Sequence, residues 1–342
     1  MWPVWLRSEY RHFIRIFPNG DAGCELFLTD SVRKNRYDIS STPVEVRFDL
    51  PGTRRITHMS ELSFRGIDIG RVEPGEDLVE PLVETTNDEY PLQDGDVVVI
   101  TSKVVSTAET RFVAADSVTV TDRDERVADV TGLDPREVAV IYEESEVLGA
   151  IPVGDIGKDL LLEQAVDTET AEEAIERMPA ALLTDRNGRL CTNAGVDWSN
   201  SPEGMMTLLP EDPDASAREI REQLEDRTGA DLAVILADSE IMGSGSMDLA
   251  VGCSGIEAID SNFARTDLYG EPKVGGVDLV ANEITAGSAL LFGQTDERIP
   301  VVVARGLDYE DGEGVPNAGG LIRRGLRKTI QLTTRLKARE WF

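Results

Sequence analysis

Apolar residues fall in short blocks separated by polar, Gly- and Pro-rich stretches. Val97-Val98-Val99-Ile100 and Ala233-Val234-Ile235-Leu236 are unbroken apolar runs and predict buried strands. Pro300 to Ala304 predicts another, closed by Arg305-Gly306, and Leu249 to Ile259 reads as a packed strand. Ala181–Thr184 and Arg189–Thr192 flank Asn187-Gly188. That dipeptide accepts two positive φ values, so the pair predicts a tight hairpin.

Helical spacing appears elsewhere. Residues 124–148 predict core-facing helices around a turn at Leu133-Asp134-Pro135. Thr168–Arg177 has acidic residues in its first turn, as a helix macrodipole favours. The helix after Pro213 is predicted to start on a capping box of Ser216 and Glu219 and to stop at Gly229. Val280–Phe292 is expected to be a helix ending at Gly293. Asp77–Glu84 reads as a short helix broken by Pro81, and Gly243–Ser246 as a mobile loop. Val153–Glu163 carries no assignable pattern.

Polar residues concentrate in 184–217, between apolar runs. Asn193-Ala194-Gly195 follows a strand, and Asp197, Ser199 and Asn200 follow at once. Such a cluster is either a polar turn capped by Asp197 or a set of side chains aimed into a cleft. Asp238-Ser239 ends a second predicted strand, and Ser102-Lys103 a third. Asp197 and Asp238 make a candidate two-carboxylate site for Mg²⁺ or Mn²⁺ with substrate phosphates. Lys103 would add a cation for those phosphates, or be a solvated strand end. This pattern points to a nucleotide-dependent transferase or ligase.

Composition narrows the classes. The chain has 342 residues and three cysteines, Cys24, Cys191 and Cys253, without a CxxC pair. That argues against a disulfide framework and a thiolate metal site, and fits a reducing cytoplasm. No apolar run approaches the roughly 20 residues that cross a bilayer. Net charge is −30, which disfavours phosphate-backbone binding to nucleic acid. An acidic surface of this density suits a salt-rich cytoplasm, so a halophilic source is expected.

The charge is uneven. Residues 1–58 carry +2 and both histidines, His12 and His58, which leaves −32 on 59–342. Residues 1–58 are expected to be an upstream extension before a start at Met59, the alternative being a small N-terminal module. Without them the chain has no histidine, which excludes Ser-His-Asp and imidazole-metal chemistry. Residues 308–342 end in a basic amphipathic helix, with seven Lys/Arg against Glu340 after Gly320. Docking on the acidic body is its preferred reading over membrane contact.

NAGVDWSN, LLPEDPDASA, VILADSE, DLYG, LLFG and VVVARG occur in order. Together they resemble the coenzyme F420-0:γ-glutamyl ligase family over roughly residues 64 to 307. The resemblance implies an α+β fold with mixed and antiparallel sheets and flanking helices, an interwoven homodimer, and residues 59–307 as the ligase-like domain. It implies an activity: L-glutamate joined to coenzyme F420-0 through an acyl phosphate, with GTP as co-substrate and Mg²⁺ or Mn²⁺, K⁺ being a further ion. It puts metal ligands at Asp197, Asp238 and Ser239. It puts nucleotide contacts at Ser102, Lys103 and Asn200 and along Leu291-Phe292-Gly293-Gln294.

The chain departs from that pattern. Where the family reads SKAEGR, Ser106 to Arg111 reads STAETR, one lysine short. Where the family has arginines after its Asp-Thr, Glu240 to Asp248 reads EIMGSGSMD. Ala-Asp-Glu becomes Ala281-Asn282-Glu283. A carboxylate at Glu240 or Asp248 aimed at phosphate would repel it. The second expectation is therefore a diverged paralogue that binds nucleotide or F420 without ligating, or that uses another acceptor.

Overall fold

The computed structural model describes residues 61–316, apart from 243–244, 262, 264, 274 and 294–296, together with three strands before residue 30 and scattered positions at 324–332. The chain divides into two compact units, Met1–Met59 and Ser60–Phe342. In the first, Val4–Arg7, Phe13–Asn19 and Gly23–Thr29 form an antiparallel meander. The expected C-terminal basic helix lies almost wholly outside the described residues.

The second unit is built on a five-stranded mixed sheet. Its order is Gly245–Ser254, Ala233–Met242, Val97–Thr101, Val301–Arg305, Ser63–Ile67. Val97–Thr101 runs parallel to Ala233–Ala237, and the remaining pairings are antiparallel. Strand alternation sends Val98, Ile100, Val234 and Leu236 to one face, where helices Val79–Glu89 and Pro213–Thr228 cover them with Leu82, Ile220 and Leu224. Val97, Val99, Ala233 and Ile235 go to the other face, under helix Val280–Phe292. Both faces are covered, so the central strands read as continuous apolar runs rather than alternating ones.

A second, smaller core holds the predicted hairpin. Helices Asp122–Thr131 and Pro135–Glu144 pack with strand Ala181–Arg186 around Val138, Ile141, Leu182 and Met206. Asn187 and Gly188 have φ of 52° and 89°, the two positive values that the turn requires. The fold is α+β with mixed and antiparallel sheets, as expected.

Several expected boundaries are corrected. Pro81 does not break its helix, which spans Val79–Glu89. It stands in the first turn, where a missing N–H costs no intrahelical bond. Asp212, not Ser216, caps the helix Pro213–Thr228, its carboxylate accepting from the Ala215 N–H at 3.1 Å. The helical reading of 124–148 stops at Glu144, and Glu146–Ile151 is a strand. The strand starting at Ala233 runs on to Met242, and Gly245–Ser254 pairs with it. Gly245 and Ser246 are therefore strand residues, and Gly243 lies outside the described residues. Val153–Gln164, unassignable from pattern, is a helix.

Candidate functional site

The strand Val97–Thr101 passes directly into the helix Ser102–Ala108, so Ser102 and Lys103 stand where the strand ends. The parallel neighbour brings Ala237 beside Thr101 and Asp238 just beyond. Ser102 Oγ donates to Asp238 Oδ1 at 2.5 Å, joining the two strands. Asp238 is not at a strand terminus, because the strand continues to Met242 as part of the hairpin.

Asp197 arrives from the second core on a tightly wound turn. Asn193, Ala194 and Gly195 have φ of 50°, 54° and 71°, three left-handed residues in succession. Glycine is required at 195, where a Cβ would meet Leu209 Cγ at 2.4 Å. Asn193 Oδ1 accepts from the Leu182 N–H at 2.7 Å, and the Ala194 N–H donates to Thr184 Oγ1 at 3.1 Å. Beyond the turn, Asp197 and Thr207 exchange both backbone hydrogen bonds. These bonds hold the Asp197 backbone, while its carboxylate stays half-exposed.

That carboxylate accepts from Lys103 Nζ at 2.7 Å, from the Ser199 N–H at 2.8 Å and from Ser199 Oγ at 2.6 Å. Burial works to raise its pKa, but the Lys103 charge and these donors hold it below the usual carboxylate value. Asp238 is pushed up to about 6, chiefly by burial, with Asp197 and Asp248 adding like charge against the Ser102 bond and Lys103. It still faces an open cavity, so solvent reaches it.

Two supporting carboxylates are more deeply buried. Glu137 is 6% exposed, and its Oε2 accepts from Trp198 Nε1 at 2.9 Å. Burial raises it to about 7, opposed by that bond. Glu137 thus anchors the residue next to Asp197 from the helix Pro135–Glu144. Glu240 is 5% exposed and accepts from Thr192 N–H and Oγ1 at 2.9 and 2.8 Å. It too is raised to about 7 by burial.

A cavity of about 590 Å³ brings Asp197 and Asp238 together. Ser102, Lys103, Asp197, Asn200, Asp238, Ser239, Phe292 and Gly293 all line it. Leu291 does not; it packs against the core beneath the helix. Gln294 lies outside the described residues. Asp68, Arg71, Glu297 and Arg298 also line the cavity and were missed from sequence, and Asp248, read there as a carboxylate aimed at phosphate, lines it as well. The stretch 240–248 is arginine-free, and Arg71, which pairs with Glu73 at 2.8 Å, and Arg298 line the cavity from other segments. Glu240 faces a second cavity of about 230 Å³ and does not line the larger one, whereas Asp248 does line the larger one.

The donor set suits a hard cation. Asp197, Asp238 and Asp248 offer carboxylates, and Ser102 and Ser239 offer hydroxyls, all oxygen ligands. Among the described residues, no three carboxylates, thiols or imidazoles already stand in a chelating arrangement. Lys103 occupies the space beside Asp197 instead.

Comparison with known proteins identifies the family. The family model described as F420-0:Gamma-glutamyl ligase matches residues 66–306. A coenzyme F420:L-glutamate ligase of Methanopyrus kandleri is 33% identical over 257 residues, covering 74% of this chain and 90% of that protein. Proteins of the same name from Methanothermobacter thermautotrophicus and Archaeoglobus fulgidus are 32% and 33% identical. They align with 70% and 71% of this chain, and with 86% of each relative.

Proposed function

This chain belongs to the F420-0:γ-glutamyl ligase family, and we propose on that premise that it joins L-glutamate to coenzyme F420-0 through an amide bond, using GTP and a divalent cation. It is an amino-acid ligase, as its curated relatives are. The observation that carries the finer reading is the meeting of Ser102, Lys103, Asp197 and Asp238 in one cavity, from three segments far apart in sequence.

The chemistry proceeds in two displacements. The acceptor carboxylate attacks the γ-phosphorus of GTP, GDP leaves, and an acyl phosphate forms. The glutamate α-ammonium group gives one proton to solvent, the free amine attacks the acyl carbon, inorganic phosphate leaves, and the nitrogen sheds a second proton to solvent. Lys103 presents its ammonium group to phosphate oxygens, and Arg71 and Arg298 add cations at the rim. Asp197, Asp238 and Ser239 would hold Mg²⁺ or Mn²⁺, which when bound offsets the charge of the phosphates. Asp197 stays ionised for that purpose because Lys103 pairs with it until an ion arrives.

The binding-only alternative drew its support from the arginine-free stretch 240–248. Arg71 and Arg298 weigh against it as cations lining the same cavity, while Asp248, lining it too, weighs for it. A homodimer is part of the proposal. Phe263, Leu268, Tyr269, Val277 and Leu279 expose apolar surface along one segment, which supports a partner of the same chain there. The ligase reading is tested with purified protein, GTP, Mn²⁺, L-glutamate and F420-0 in high salt. Mass spectrometry should show F420-0 gaining glutamyl units and GTP becoming GDP. GTP-dependent glutamylation that never appears on F420-0 would transfer the reading to another acceptor.

A further inference from the structure

The two cavities share a wall made of Ser102, Lys103, Asp197, Asp238 and Ser239. The larger one opens toward Arg71 and Arg298. The smaller, about 230 Å³, is lined in addition by Thr192, Ser106 and Leu209. Strand alternation places Asp238 and Glu240 on the same face of Ala233–Met242. Asp238 belongs to the shared wall, and Glu240 lines only the smaller cavity.

Glu240 is incompletely satisfied. Both Thr192 donors go to Oε2. Oε1 is fully buried and has no donor among the described residues. A carboxylate oxygen taken from water without a replacement donor is costly, and a folded protein keeps few such atoms. Thr192 holds the carboxylate by Oε2, and the Glu240 side chain lines the smaller cavity.

We propose that the smaller cavity is the subsite for the amino-acid co-substrate, with Glu240 Oε1 accepting a hydrogen bond from its α-ammonium group. The assignment rests on the ligase reading above and says where its second substrate sits. An ammonium group brings three donors and a positive charge, which suits an acidic wall made by Asp238 and Glu240. Lys103 does not satisfy Glu240, because its Nζ is taken by Asp197 Oδ2 and the Ser199 carbonyl. The volume fits a small amino acid and falls short of the several hundred Å³ that larger ligands such as nucleotides need. Residues two apart on a strand are about 7 Å apart. An amine held at Glu240 therefore stands next to the wall where the phosphoryl chemistry occurs.

Binding is measured by calorimetry in high salt with L-glutamate and with glutarate, the same diacid without the amine. Wild-type protein should bind L-glutamate at least tenfold tighter than glutarate. In Glu240→Gln the amide oxygen keeps the two Thr192 donors, so the amide NH₂ replaces Oε1 and opposes the ammonium donors. That variant should lose tenfold or more in L-glutamate affinity, lose the preference over glutarate, and keep GTP affinity within twofold. Equal binding of the two diacids by wild type, or unchanged L-glutamate affinity in Glu240→Gln, overturns the subsite. Glutamylation of F420-0 with an unchanged KM for L-glutamate in the variant also overturns it while leaving the ligase reading intact. Amine-dependent binding without any glutamylated product supports the subsite and removes the ligase reading alone.

Discussion

Lys103 Nζ and Asp197 Oδ2 lie 2.7 Å apart, although 94 positions separate them in the chain. The lysine stands at the end of a central strand, and the aspartate on the turn of a different core. Their pairing joins the two cores at the cavity and keeps the aspartate ionised. It also puts a cation on the carboxylate that a metal ion would need, so lysine and metal compete for it.

Lys103→Met is therefore expected to separate two affinities. Removing the positive charge should tighten Mn²⁺ binding by about 1 kcal/mol, roughly fivefold, in a site open to water. GTP binding should weaken by a similar or larger factor. Calorimetry with each ligand checks this, and a loss of Mn²⁺ affinity would mean that Lys103 supports the ion rather than displacing it.

Asp197→Asn and Asp238→Asn should each weaken Mn²⁺ binding about tenfold or more, because an oxygen ligand loses its full charge. Electron paramagnetic resonance of free Mn²⁺ gives the affinity directly. Unchanged values in both variants would exclude a two-carboxylate site.

Glu137→Gln tests the anchor behind Asp197 through pH. The folded Glu137 carboxyl is raised to about 7 from 4.5, so the folded state holds its proton longer than the unfolded chain does. Its contribution is present below about pH 4.5 and is lost as pH rises through about 7. The amide oxygen of the substituted side chain would still accept from Trp198, and the side chain would carry no charge. Urea titrations without metal should show the variant gaining about 1–3 kcal/mol over wild type between pH 5 and pH 8. Glu137→Ala should instead lose stability at both pH values, because Trp198 Nε1 loses its acceptor.

Arg71→Gln and Arg298→Gln should each reduce GTP affinity about three- to tenfold, the range for exposed charge-assisted contacts. Mn²⁺ affinity should not fall. If GTP binding is indifferent to both, the cavity's cations do not reach the nucleotide.

A chain beginning at Met59 should melt within a few degrees of the full chain. The division between units falls after Met59, so this start retains Ser63–Ile67, which pairs with Val301–Arg305 at the edge of the central sheet. Aggregation or a much lower melting temperature would show that residues 1–58 are structural.

The three inner strands of the central sheet were legible because their apolar runs need no partner to be recognised, whereas the edge strand Ser63–Ile67 was not read. Asn187-Gly188 and Gly229 were legible for a similar local reason, since each conformation favours few residue types. Pro81 and Asp212 misled because their effect depends on where the first turn begins. The hairpin through 240–248 was hidden, since polar residues face its cavities and erase the apolar signal of a strand. Arg71 and Arg298 had no local signature at all, and only the fold brings them beside Lys103. Glu137 left one trace, a charge set next to Val138, Val140 and Ile141, which are all buried.

The parallel pairing of Val97–Thr101 with Ala233–Ala237 has a further consequence during synthesis. Ser102 leaves the ribosome 136 residues before its partner Asp238. For that interval Val97–Ile100 is an apolar strand without its parallel neighbour, the kind of edge on which nascent chains stick together. Its other neighbour, Val301–Arg305, comes later still. Local helix and hairpin formation cannot relieve this, because the missing partners are remote in sequence. The acidic side chains already made, spread along the chain from residue 59 on, repel other unfinished copies during that interval.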